Sequence, residues 1–248
     1  MATGVAEAAS SRTSAAATAI AETVLAGFQD IAAHVARFRS FAFPAKIAAM
    51  SDDRLSRETA FLTEADKLKL VFRRTLLADG SRRENTAEHS WHIVLTAMVL
   101  RDYAAEPLDF EHAIEMLTVH DLVEIDAEDT FAYDVEGNQT RPERERRAAD
   151  RLFGLLPQAT GARFRALWEE FEAGETPESR FANAVDRFQP LLQNLTTEGG
   201  TWRIYHPTRE QVLRRMDPVR TALPALWPFV CEAIERFIPA ESENRSGA

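Results

Sequence analysis

The chain has 248 residues, 45% of them hydrophobic, and a formal net charge of −10. That is enough apolar material for one sizeable core, and the charge disfavours broad binding to a nucleic-acid polymer. A single cysteine, Cys231, cannot close an internal disulfide, so a reducing, cytoplasmic setting is expected rather than a small secreted framework. No run of about 18 apolar residues occurs, so no membrane span is expected.

Residues 1–20 are rich in Ala, Ser and Thr and are predicted to be a loose leader, disordered or a frayed helix. Glu7 and Glu22 argue against a transit peptide. Apolar spacing predicts a short helix over 20–38, and Pro44 breaks the next segment. Met50 begins a natural domain start, where Ser51 or Asp52 can cap a helix. The division is therefore an extension over 1–49, one domain over 50–238 and a disordered tail over 239–248.

Helical periodicity dominates the domain. Leu55, Phe61, Leu62, Ala65, Leu68 and Val71 supply a first apolar face. Asp79-Gly80 marks a turn in a loop. A second helix is predicted from Thr86 to Arg101, with Trp91, Val94, Leu95, Met98 and Val99 inward. A third runs from Phe110 to Ile125, and the stretch from Asp126 to Arg141 reads as irregular. Further helices are predicted over Glu143–Leu156, Arg163–Glu172, Pro177–Leu195, Thr208–Arg214 and Val219–Ile238. No alternating strand pattern of useful length and no internal repeat occurs, so the fold class is all-α.

Chemistry concentrates in VHDLVEIDAEDTFAYD, residues 119–134. An imidazole and a carboxylate, His120 and Asp121, are both good ligands for a divalent first-row metal. As neighbours on a helix they point about 100° apart, so further ligands must come from elsewhere. His89 lies on the preceding helix. Asp186 lies on a later, otherwise apolar helix, where a buried carboxylate needs a cation or a metal. Glu124, one turn after His120, shares its helix face. Asp126, Glu128 and Asp134 read as solvated or structural acids. The arginines 141, 144, 146, 147 and 151 alternate with acids, as ion pairs on an exposed helix do. Arg82 and Arg83 precede the His89 helix and are candidates for the mouth of the site. His92 shares a face with His89 and reads as core, with a place supporting the site as the alternative; His112 and His206 read as surface, and Phe131, Trp202 and Tyr205 as core or interface groups with base stacking as the alternative.

The order His, His-Asp, Asp in an all-α chain resembles the HD-domain metal-dependent phosphohydrolases. The phrases RRENTAEHSWH, HDLVEIDAEDTFAYD and FANAVDRFQPLLQN are similar to the subfamily that contains the 5′-deoxynucleotidases, over roughly Met50 to Phe237. The resemblance implies an HD-domain helical bundle. It implies one divalent metal (Mn, Co, Mg, Fe or Zn) on His89, His120, Asp121 and Asp186. It further implies Glu124 as the catalytic acid near the scissile phosphate, Arg73 on the phosphate and Asp129 on the sugar. The substrate would be a small nucleotide, a (deoxy)nucleoside 5′-monophosphate, and the assembly a homodimer. No histidine lies between Asp121 and Asp186, which favours one metal over two. Glu128 stands where that subfamily often has glycine, which bears on the shape of the loop carrying Asp129. Other readings are a nucleotide pyrophosphohydrolase or a non-catalytic nucleotide-binding module of the same fold.

Overall fold

The computed structural model describes residues 53–239. The expectations for residues 1–49 and for the tail beyond Pro239 lie outside the described residues. Within them the fold is a helical bundle, as expected. Helix α1 (Asp53–Ala65) passes through a 3-10 turn into strand β1 (Phe72–Leu76), which pairs antiparallel with β2 (Arg83–Asn85). Then follow α2 (Thr86–Leu100), α3 (Phe110–Val119), α4 (Glu124–Ala127), α5 (Val135–Gly154) and α6 (Gln158–Ala173). The chain closes with α7 (Pro177–Thr196), α8 (Gly200–Tyr205), α9 (Arg209–Arg215), α10 (Asp217–Ala222) and α11 (Trp227–Phe237).

Helix α7 is the axis of the bundle. Its start is fixed by a capping box between Thr176 and Ser179, with a proline in the first turn, which satisfies backbone N–H groups that a helix start leaves open. Phe181, Ala182, Ala184, Val185, Phe188 and Leu191 are buried along it, against α2, α3, α6 and α10. Phe181 is fully enclosed, and truncating such a side chain to alanine costs about 3–5 kcal/mol. Asp186, Gln189 and Gln193 sit on the same helix and are also buried. The central helix therefore carries both core and site.

Five expectations are corrected. The loop around Asp79-Gly80 is the turn of a short hairpin. Gly80 adopts a φ of +71°, and Asp79 Oδ1 accepts from the Ser81 N–H at 2.9 Å, the side-chain mimic of a turn. The strands are too short and too arginine-rich to show alternation.

The second correction is the face of α2. Thr86, His89, Ile93, Thr96 and Ala97 point inward, while Trp91 (65% exposed), Met98 (61%) and Val99 (69%) point out, with Leu95 also exposed. Leu55 and Leu62 on α1 are exposed as well. Third, the helix through His120 does not run unbroken. The chain tightens to a 3-10 turn over His120–Val123, where the imidazole Nδ1 donates to the Leu117 carbonyl at 2.9 Å.

Fourth, the Asp126–Arg141 stretch is only partly irregular, because α5 starts at Val135 and runs through Pro142. Asp134 caps it by accepting from the Gly137 N–H at 3.0 Å. Arg144 ties it to the preceding loop through Thr130 Oγ1 at 2.7 Å and the Ala127 carbonyl. At the C-terminus the expected helix over 219–238 is two, α10 and α11, separated by a turn at Pro224–Leu226.

Candidate metal centre

Three elements converge on one point. Helix α2 brings His89, fully buried; the 3-10 turn after α3 brings His120; α7 brings Asp186. One potential ligand atom from each lies within 4.8 Å of the others. His89 Nε2 is 3.0 Å from Asp186 Oδ1, and His120 Nε2 is 3.9 Å from the same oxygen.

The histidines are held in one tautomer by what lies behind them. His120 Nδ1 gives its proton to Leu117. His89 Nδ1 faces Gln189 Oε1 at 2.9 Å, an acceptor, so it carries the proton as well. With both Nδ1 atoms acting as donors, both Nε2 atoms are left facing the same space, where a bound ion would take the place of their protons. His120 Nε2 is buried without a hydrogen bond, although Asp121 Oδ1 lies 2.9 Å away. A buried, unsatisfied nitrogen facing a carboxylate and a second imidazole fits a divalent cation.

Asp121 stands beside this trio rather than within it. Its Oδ2 is 3.8 Å from His89 Nε2 and accepts from Arg73 Nη1 at 3.2 Å. Arg73, on β1, also approaches Asp129 Oδ1 at 3.7 Å. Glu124 is buried, and its Oε2 accepts from Thr86 Oγ1 at 3.0 Å. Arg73, His120, Asp121, Glu124, Asp129 and Asp186 all line one cavity of about 200 Å³.

The charges shape one another. Burial raises the pKa of Glu124 well above the carboxylate range, helped by the negative charges of Asp121 and Asp129. Burial pulls the other way for His120, but Asp121 and Asp186 outweigh it and carry its pKa up to about 10. Burial would raise Asp121, yet the His120 charge holds it at about 2. Arg73 is desolvated, and Asp129 and Asp121 keep it firmly charged.

Asp129 reaches the site through an unusual backbone. Glu128 ends α4 with φ 63° and ψ 152°, a region that glycine occupies freely and other residues rarely. The glycine-like conformation is thus kept although the side chain is glutamate.

Several residues near the site were not singled out from the sequence. Glu84, almost fully buried, accepts from Gln193 Nε2 at 2.7 Å and Gln189 Nε2 at 3.2 Å, and lies 3.6 Å from His89 Nδ1. His92, read as core, is linked to the same network through Gln189 at 2.9 Å. The amides at one-turn spacing after Asp186 on an apolar helix were the available signal. Arg141, assigned to an exposed ion-pair ladder, lines the cavity instead, between Glu145 and Glu172. Arg187 and Arg215 line it too; burial and the Arg215 charge push Arg187 down to about 10.

Arg82 does not line the cavity and is a bidentate partner of half-buried Glu88, at 2.7 and 2.8 Å. His112 is half-buried and pairs with Glu170 at 2.8 Å, while His206 is exposed. Phe131 and Trp202 line the cavity, and Tyr205 packs on Phe131 with ring centroids 4.5 Å apart. Asp126 pairs with Arg151 at 2.8 Å. Among the described residues, no helix is long and apolar enough to cross a membrane.

The chain is similar to a predicted metal-dependent phosphohydrolase of known crystal structure from Magnetospirillum magnetotacticum MS-1. The identity is 45% and the TM-score 0.72, over 77% of this chain and 98% of that one. It shares its fold with a conserved hypothetical protein from Pyrococcus furiosus, at 19% identity and a TM-score of 0.52, over 71% of this chain and 98% of that one. It is 27% identical over 112 residues to a human 5′-deoxynucleotidase, covering 45% of this chain and 53% of that protein. The chain thus spans about half the length of this curated relative. A model of the HD domain matches residues 65–227, more than half of the chain and the whole of the donor cluster, and the chain belongs to the HD-domain family.

Proposed function

We propose that this protein is a metal-dependent phosphomonoesterase that hydrolyses (deoxy)nucleoside 5′-monophosphates to nucleoside and phosphate. The observation that carries the reading is the buried Glu124 carboxyl, whose pKa is raised by burial, in one cavity with Arg73 and the candidate metal donors. The resemblance to 5′-deoxynucleotidases supports the substrate class.

His89, His120 and Asp186 would hold the ion, with Asp121 as fourth ligand once it turns from Arg73. Bound there, a divalent ion supplies Lewis acidity toward a phosphate oxygen and toward water. Arg73 binds the non-bridging phosphate oxygens through its guanidinium. Water attacks phosphorus, the bond from phosphorus to the 5′-oxygen breaks, and Glu124 donates its proton to that departing oxygen. The Glu124 carboxylate then recovers a proton from water. Asp129, held near Arg73, accepts a hydrogen bond from the sugar. Glu84 and Gln189 fix His89 from behind and keep its Nε2 directed at the ion.

The exposed stripe of Trp91, Leu95, Met98 and Val99 supports a homodimer, because a contiguous apolar patch on a helix face marks an association surface. Sedimentation velocity on the full-length chain tests this, and a monomer at micromolar concentration overturns it. We place the protein in the cytoplasm on its single half-buried cysteine.

The activity is tested by phosphate release from a panel of nucleotides with Mn²⁺, Co²⁺ or Mg²⁺. Orthophosphate from 5′-monophosphates supports the reading. Pyrophosphate as product favours a pyrophosphohydrolase, and binding without turnover favours a non-catalytic module.

A further inference from the structure

The cavity does not end at Asp186. A second, more open cavity of about 490 Å³ adjoins it, and Tyr133, Arg187 and Arg215 line both. Three arginines, Arg187, Arg214 and Arg215, reach this outer chamber, and among the described residues no carboxylate lines it. On a chain with a formal net charge of −10, the chamber reverses the prevailing sign.

The arginines are only partly neutralised. Arg187 Nη1 donates to the carbonyl oxygen and Oδ1 of Asn183, both at 2.7 Å and both uncharged. Asp186 Oδ2 lies 3.5 Å from Arg187 and 3.7 Å from Arg215. Among the described residues it is the one carboxylate in ion-pair range of either. One carboxylate therefore serves two half-buried guanidiniums, while its other oxygen faces His89. Arg214 is exposed and lies a loose 3.9 Å from Glu210.

A phosphate at the metal donors is already matched by Arg73 and has no need of these three. The loop that follows Asp129 connects the two chambers: Asp129, Thr130 and Phe131 line the inner one, and Ala132 and Tyr133 line both. A substrate extending along this loop from the donors arrives at Arg187 and Arg215. Guanidiniums in a partly desolvated cleft are well suited to bind an oxyanion.

We propose that the outer chamber is a subsite for a second anionic group of the substrate, held by Arg187 and Arg215 with Arg214 at its rim. The preferred substrate is then a nucleotide carrying a phosphate beyond the one that is cleaved. The inference rests on the nucleotide-phosphatase reading above for the identity of the first group.

The test uses the full-length, metal-loaded protein. kcat/KM is measured for a ribonucleoside 5′-monophosphate and for the matching 3′,5′-bisphosphate, whose free 2′-hydroxyl can still donate to Asp129, in wild type, Arg215→Gln and Arg214→Gln. Arg214 is exposed, so its variant keeps the test open if Arg215→Gln fails to fold. The expected result is a preference of about tenfold or more for the bisphosphate, the scale of one added charge-assisted contact, expressed in KM and reduced in both variants. Equal kcat/KM for the two substrates, or a preference untouched by both substitutions, overturns the subsite while leaving the activity standing. If neither substrate is hydrolysed, the activity reading fails, and calorimetry of the same two nucleotides decides the subsite. Tighter binding of the bisphosphate, weakened in Arg214→Gln, supports it; equal binding or no binding overturns it.

Discussion

His89 Nε2 lies 3.0 Å from Asp186 Oδ1, although the two residues are 97 positions apart in the chain. The contact joins α2 to the central helix α7 at the point where both should be purely apolar. Asp186→Asn keeps the volume and removes the charge. Metal affinity is expected to fall at least about 100-fold, since a ligand is lost outright. Calorimetric titration with Mn²⁺ or Co²⁺ checks this, and unchanged affinity refutes the assignment of Asp186 to the metal.

Glu84 is predicted to act through His89 rather than on substrate. It lies 3.6 Å from His89 Nδ1 and 3.9 Å from Arg73 Nε. Glu84→Gln should lower metal affinity by about 10–100-fold, the usual effect of losing a group that orients a ligand. Excess metal should then restore much of kcat. A variant that loses kcat at saturating metal while binding the ion normally would place Glu84 among the reacting groups instead.

Glu128 holds a backbone conformation suited to glycine. Glu128→Gly is expected to stabilise the fold by about 1 kcal/mol, because relief of strain outweighs the added freedom of the unfolded chain. The urea midpoint reads this out. KM should change little, because Asp129 is already within 3.7 Å of Arg73 in the glutamate-containing loop. Loss of stability would show that the glutamate side chain contributes more than the strain costs.

The two-sided pH behaviour of the metal-free protein follows from the paired charges. The His120 pKa rises from 6.5 to about 10, so its contribution to stability is complete below 6.5 and is lost as pH rises through about 10. The Asp121 pKa falls from 3.8 to about 2, so its contribution is present above 3.8 and is lost as pH falls through about 2. A metal must displace the His120 proton. Its affinity should therefore increase with pH, by up to about tenfold per unit between about pH 6 and 8. Calorimetry in buffers of different ionisation heat counts the proton; a flat affinity with no proton release contradicts the arrangement.

The candidate donors stand out in the sequence because each breaks a local rule, and the fold brings His89, His120 and Asp186 together. His-Asp ends a buried helix, and Asp186 interrupts an apolar one. The α2 face was misjudged for the same physical reason in reverse. Its inward side carries Thr86 and His89 for the site, and its large apolar side chains Trp91, Met98 and Val99 are left outside. Periodicity alone assigns the larger hydrophobics to the core. Arg141, Arg187 and Arg215 were not recognised as a group because they come from three helices, and only the packing of α5, α7 and α9 brings them to one cavity. The hairpin was missed because its strands, FRRTL and REN, are stabilised by their turn and by the helices they meet, not by an alternating pattern of their own.

The most direct test of the central claim is phosphate release from a 2′-deoxynucleoside 5′-monophosphate by the metal-loaded full-length chain, measured beside Glu124→Gln. The account predicts metal-dependent release by wild type and a kcat lower by about 10²–10⁴ in the variant, the range for loss of a general acid, with metal affinity retained. A failure to release phosphate from any nucleoside monophosphate, or a Glu124→Gln protein as fast as wild type, would contradict it.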